Sequence, residues 1–434
     1  MHEIERRQFL KVAGIATGLA LTGGIASIVD ARRPPAFPKG TRLHLLQRSS
    51  AIPLADDVYR QLAREFQELT RVEMTIETID TRTLQTRTAT AVERGTGPDI
   101  IQMLHSWPHV YANALADVTD VAEPIGQRDG AYYRQIEAVC TVGGGWKAVP
   151  FCFVPFAVVY RIDWFREIGV DTFPETWDEY RRVGQQLKAT GRPFGLVLAP
   201  GFGESHAFMY PLLWSFGGKE TEEDGKTIAL ASKETKESIM FCASLFEEAL
   251  DEGGVAWDNA SNNRAYLAQT ISATLNNASI YFSAKQKYPP IAEVTNHAPL
   301  PNGPAGRFAW HGTQEHAIMR YSKNQKAAKE YLTWLMEREQ WAKWFRIQKG
   351  YSTAPTTFWE RDQLWAIDPR MAIFRDINRY GRHIGFAGPP TIQSSQTLAK
   401  HIVAEMYAKA IVREMSPTKA IYWAVRELKK IYKG

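Results

Sequence analysis

Apolar residues along this chain follow two alternating rhythms. Leu43-His44-Leu45-Leu46 is a short apolar run of the kind that fills a buried strand. Val58, Leu62, Phe66 and Leu69 follow at spacings of four, four and three, one stripe of a helix opened by Asp56 and Asp57. Val72, Met74, Ile76 and Thr78 then alternate, as one face of a strand does. Gly97-Pro98 breaks the next helix, and Asp99-Ile100-Ile101 begins another short strand. This β-α-β-α order predicts an α/β fold with a parallel sheet covered by helices on both faces.

The rhythm resumes after Pro150. Ala157-Val158-Val159-Tyr160 reads as a strand, and Asp163 caps a short helix that ends at Gly169. Thr176-Trp177-Asp178-Glu179 has the form of a capping box, with Trp177, Tyr180, Gly184 and Leu187 on one face behind it. Ser232 caps a helix that turns Ile239, Cys242, Phe246 and Ala249 inward; Ser322 caps another, carrying Ala327, Tyr331, Trp334, Leu335 and Trp341. Two helices close the chain, residues 396–414 and 417–432, the second with Ser416 as N-cap and Pro417 in its first turn. Pro/Gly punctuation at 150–155, 299–306 and 353–357 marks three places where the chain would pass between two α/β halves, leaving a cleft between them.

Length and composition narrow this further. The 434 residues suffice for two cores, and 44% hydrophobic with 23% charged residues excludes disordered, collagenous and polytopic membrane chains. A net charge of +5, without a dense Lys/Arg block, excludes a nucleic-acid footprint. Three cysteines exclude a disulfide-dense scaffold and a Cys-based zinc module. Cys140 and Cys152 flank Gly143-Gly144-Gly145, so they are either a disulfide across that turn or two small buried residues. The 13 Trp, 17 Tyr and 20 Phe would supply walls for a ligand pocket. The N-terminus reads as an address: Arg6-Arg7, then Phe9-Leu10-Lys11, then a mildly apolar, uncharged run over residues 12–29. This resembles a twin-arginine export signal, with Glu5 where Ser or Thr is usual, and residues 1–31 are expected to be removed on export.

Several segments then occur in an order that resembles the extracellular solute-binding proteins of ABC importers, in the sugar and maltodextrin branch. They are Gly97-Pro98-Asp99-Ile100-Ile101, Ala148-Val149-Pro150-Phe151, Val159-Tyr160-Arg161 with Trp164-Phe165, Phe173 to Glu179, Pro299 to Pro304, and Ser322-Lys323-Asn324 with Tyr331-Leu332. The resemblance implies a two-lobed, class II periplasmic-binding-protein fold with an interlobe ligand cleft: 40–151 plus 305–355 as one lobe, 156–300 plus 360–434 as the other. It implies a periplasmic monomer that captures a sugar or related solute and hands it to the membrane permease subunits. Neither catalysis nor a cofactor or metal is implied.

Candidate contacts lie at strand ends. Ser49 follows the first strand; His105 and Trp107 follow Asp99 to Met103, with Trp107 either an aromatic platform or a packing residue; Phe151 lies at the first crossing. The resemblance carries Glu204, His206 and Tyr210 into the second lobe's site, while Asn276 and Asn277 are hydroxyl partners or turn residues. Trp310, His311 and Gly312 occupy the return crossing, with Trp310 as a wall. The rival class is an exported enzyme such as a glycoside hydrolase. Pro108 interrupts the His105/His109 spacing, and no His-Glu-x-x-His, Gly-x-Ser-x-Gly or P-loop is present.

Overall fold

The computed structural model describes residues 34–201 and 203–433, so the export segment lies outside the described residues. The described residues form ten strands: β1 (Arg42–Arg48), β2 (Glu73–Ile79), β3 (Ile100–Leu104), β4 (Thr141–Val142), β5 (Gly145–Trp146), β6 (Val149–Val154), β7 (Ala157–Arg161), β8 (Ala273–Asn276), β9 (Thr295–Ala298) and β10 (Gly312–Ile318). The larger sheet runs β2-β1-β3-β10-β6. β1 is parallel to both neighbours, with Leu45 opposite Ile76 on one side and Ile100 on the other; β10 is antiparallel to β3 and β6. The smaller sheet runs β8-β7-β9, all antiparallel. A short β4-β5 hairpin lies apart from both.

Two cores separate the molecule into two lobes. The first gathers Leu45, Leu62, Phe66, Ile100, Phe153 and Trp341; the second gathers Val158, Trp177, Trp214, Leu245 and Tyr407. Only Pro155 and Phe156 separate β6 from β7, so the first passage between lobes is very short. The return passage is the segment between β9 and β10. The last follows the punctuation at 353–357: Trp359 still packs on Trp341 and Phe345 in the first lobe, while Asp368 already binds Lys285 and Arg370 donates to Ala292 O beside β9.

Local signals explain most helices. The capping box forms: Glu179 N–H donates to the Thr176 hydroxyl at 3.3 Å, and Thr176 N–H donates to the Glu179 carboxylate at 3.1 Å. Such a cap stabilises a helix by about 1 kcal/mol. Ser232 and Ser416 cap as expected. At Gly184 a Cβ would lie 2.6 Å from that of Ala249, so the glycine allows this helix to close on Lys233–Ala249.

Four helices depart from the expected pattern. Asp163 does not cap: it lies inside the helix Ile162–Glu167 and accepts from the Arg161 guanidinium at 2.9 Å. The helix after β1 starts at Pro53, with Asp56 instead accepting from Ser50 N–H at 3.1 Å. Ser322 donates to Asp99 at 2.5 Å rather than capping, and the helix it precedes is two, Gln325–Leu335 and Arg338–Gln348. The penultimate helix also divides, into Ile392–Ala399 and Ile402–Ile411, at His401, whose φ of 54° is left-handed. Cys140, Cys152 and Cys242 are buried free thiols. No helix among the described residues is long and apolar enough to cross a membrane.

Candidate functional site

The parallel strands β1 and β3 end on the same side of the larger sheet, where an open α/β sheet places its ligands. Arg48 ends β1, and His105 follows β3. Both line a cavity of ≈ 320 Å³ whose opposite wall comes from the second lobe, through Glu204, Asn277 and Ser279. Phe156 of the first passage and Trp310 of the return passage form its floor. A polar pocket of ≈ 20 Å³ adjoins it, sharing Arg48, Gln314 and Tyr351 and adding Ser49 and Phe151.

Three rings stack through this floor. His105 lies 5.1 Å from Trp310 with planes 20° apart, and Trp310 lies 6.3 Å from Phe156 with planes 16° apart. His105 has a left-handed φ of 54°, an uncommon conformation held by its N–H donating to Thr313 O at 3.2 Å. Burial drives its pKa down to about 3, and the Arg48 charge adds to the shift, so the ring is neutral.

The second-lobe wall is pre-set by an amide ring. Asn276 donates to Asn263 at 2.7 Å, Asn263 donates to the Ser279 hydroxyl at 2.9 Å, and that hydroxyl donates to Asn276 at 2.8 Å. Asn277 accepts from Ser279 N–H at 2.9 Å. Ser279 keeps one acceptor lone pair and Asn277 its amide donors for a ligand. On the facing lobe Gln102 accepts from Arg48 N–H at 3.1 Å and donates to Gln314 at 3.2 Å.

Glu204 opens the helix Glu204–Phe216 and is 6% exposed. Burial raises its pKa to about 7; its own backbone N–H opposes the shift, and Asp258 adds to it. No ion pair to its carboxylate forms among the described residues, so this polar side chain faces the cavity without a cation of its own.

The structure thus brings His105, Glu204, Asn277, Trp310 and Gly312 to one cavity, with Ser49 and Phe151 on its small neighbour. Phe151 is mainly a core ring, 4.5 Å from Trp344. Five residues lie elsewhere. Trp107 begins the short helix Trp107–Val110, packs edge-on to Tyr111 at 6.5 Å and leans on the first core. His206 turns to His401, 3.3 Å between ring nitrogens, and burial lowers its pKa to about 3. Tyr210 donates to buried Glu220 at 3.4 Å. Asn276 sits behind the wall it braces. His311 points away from Trp310's side, its Nε2 3.2 Å from Ile377 O. Gly312 lies within β10, where a Cβ would make ordinary 3.6 Å contacts, so no unusual dihedral explains it. Arg48, Phe156, Asn259, Ser279, Thr313, Gln314 and Tyr351 also line the cavity and were not singled out by the sequence pattern. The cue for Arg48 was its place at a strand end beside Ser49. No group of three or more metal-ligating side chains is present among the described residues.

Comparison with known proteins places this geometry. The model of the family described as bacterial extracellular solute-binding protein matches residues 53–340. A probable ABC transporter-binding protein of Deinococcus radiodurans is 25% identical over 272 residues, 60% of this chain and 63% of that protein. A diacetylchitobiose-binding protein, DasA, of Streptomyces coelicolor is 24% identical over 220 residues, 49% of each chain. The match therefore spans 63% and 49% of these relatives' own lengths, less than two thirds of either. Maltose-bound MalE3 of T. maritima superposes with a TM-score of 0.75 at 21% identity, covering 90% of this chain and 100% of that one.

Proposed function

Because the chain belongs to the bacterial extracellular solute-binding proteins, we propose that it is the exported, monomeric substrate-binding component of an ABC importer. It captures a sugar or oligosaccharide between its lobes and delivers it to the membrane permease. The observation that carries this is the interlobe cavity itself, with a stacked ring floor under facing polar walls. A sugar ring offers an apolar C–H face to the half-buried Phe156 ring, which stacks on buried Trp310, and its hydroxyls meet the Arg48 guanidinium, the Glu204 carboxyl and the Asn277 amide. A volume of ≈ 320 Å³ lies at the small end of ligand pockets, about 300–1,000 Å³, which suits one or two sugar units within the enclosed part.

The test is calorimetric titration of mono- and disaccharides, with small-angle scattering of the best binder's complex. Micromolar affinity, a smaller radius of gyration at saturation and unmodified sugar on recovery are expected. Hydrolysed sugar, or a radius unchanged at saturation, would refute capture by lobe closure.

A further inference from the structure

Beside the cleft lies a second, larger cavity of ≈ 660 Å³, mostly apolar. Three separate chain segments run from one into the other. The first leaves the small polar pocket at Ser50 and reaches the groove at Ile52 and Leu54. The second enters the helix Ser279–Lys287 at the cleft, with Ser279, and presents Phe282 to the groove one turn later, about 4.5 Å along the axis. The third carries Ile347 in the groove and Tyr351 in the cleft. The far wall is Ile367 and Met371. These three segments place the groove next to the cleft region.

The groove keeps apolar side chains in water. Leu54 is 46% exposed and Ile367 77% exposed. Two of its rim cations are paired, Lys285 with Asp368 at 3.0 Å and Arg346 with Asp362 at 3.0 Å, and Lys349 also lines it. The lining between them is mostly apolar and suits an apolar tail.

We infer that this groove receives the apolar end of the captured ligand, so that the protein takes glycosides bearing an aliphatic or aromatic aglycone, with the sugar in the cleft and the aglycone between Phe282 and Ile367. The inference rests on the sugar-capture reading of the cleft. Each methylene buried strengthens association about fourfold.

The test is titration of methyl, hexyl and octyl β-glucosides, β-galactosides and β-maltosides, all below their micellar concentrations. For at least one sugar, affinity should rise with chain length, with the octyl form at least tenfold tighter than the methyl. Ile367→Glu and Phe282→Gln should each remove most of that gain and leave methyl-glycoside affinity unchanged. A methyl form that binds with no gain from the octyl chain overturns the groove assignment alone. So does a gain that both variants retain, or octanol binding as tightly as octyl glycoside. Failure of every methyl and octyl form overturns the sugar reading, and the inference with it. A dimer on size exclusion that Ile367→Glu dissociates would assign the groove to a second copy of the chain instead.

Discussion

Replacing Glu204 by Gln should move stability and ligand affinity in opposite directions. The carboxyl is 6% exposed and has no basic partner among the described residues. The helix N-terminus favours its charge, yet burial wins and lifts its pKa from 4.5 to about 7. A rise of about 2.5 units, at 1.36 kcal/mol each, means that ionising Glu204 in place costs about 3 kcal/mol. The folded chain holds this proton between roughly pH 4.5 and 7 while the unfolded chain has lost it. Its contribution is therefore full below pH 4.5 and lost as pH rises through 7. Gln keeps the shape and carries no charge. Glu204→Gln should leave the urea midpoint at pH 5 nearly unchanged and raise stability at pH 8 by up to about 3 kcal/mol. In the complex the same change should weaken binding. Hydrogen bonds to a charged group contribute about 1.5–3 kcal/mol and neutral ones about 0.5–1.5, so a tenfold loss is expected at pH 8. Titration calorimetry and urea melts of both proteins at both pH values decide it. Unchanged stability at pH 8 would refute the buried, unpaired carboxyl; unchanged affinity would remove Glu204 from the site.

Two further outcomes follow from the same geometry. Phe156→Leu should lower sugar affinity about tenfold, because it removes the half-buried stacking face while keeping apolar volume. It should destabilise by less than the 3–5 kcal/mol typical of truncating a fully buried aromatic, and full retention of affinity would deny Phe156 its place in the floor. Acid should weaken the fold: burial holds His105, His206 and His316 near pKa 3 and His297, His311 and His383 near 4, against 6.5 unfolded. Their stabilising contribution is full above pH 6.5 and falls as pH drops toward 4, by about 1.4 kcal/mol per group per unit at most. Glu204 and Glu220, both near 7, and Glu315, which burial raises well above the ordinary carboxyl range, work the opposite way but are outnumbered. A urea midpoint that stayed level or rose from pH 7 to pH 5 would contradict this.

The fold was legible where local chemistry decides it. Periodic apolar stripes, the Thr176 box and the Ser416-Pro417 start act within a few residues, and each forms as read. The site was legible only at strand ends. Trp310 and His311 are neighbours, yet one floors the cleft and the other points back to Ile377 O, because adjacent extended residues face opposite ways. His206 and Tyr210 failed to reach the cleft for a different reason. The helix Glu204–Phe216 is buried on every side, so it has no polar face to indicate direction, and only its first residue opens on the cavity. Phe156, Gln314 and Tyr351 come together from segments up to 195 positions apart in the numbering, and no short-range signal marks such an assembly.

The arrangement of the floor bears on how capture and closure are coupled. Phe156 lies in the two-residue passage between β6 and β7, and Trp310 lies in the return passage, so the rings that would meet the sugar belong to the segments that join the lobes. A change in lobe angle must alter dihedrals in these passages and with them the Phe156–Trp310–His105 stack. Ligand can favour a closed form only through contacts it makes better there. Arg48 and Gln314 on one wall, and Glu204 and Asn277 on the other, are the groups whose separation closure would shorten. A sugar that stacks on Phe156 but reaches a single wall gains equally from open and closed forms and shifts neither. One that bridges both walls gains two or more hydrogen bonds on closing, about 0.5–1.5 kcal/mol each for neutral pairs and more to the Arg48 guanidinium. On this geometry the stack sets which ring faces bind, and the two walls set which ligands close the lobes.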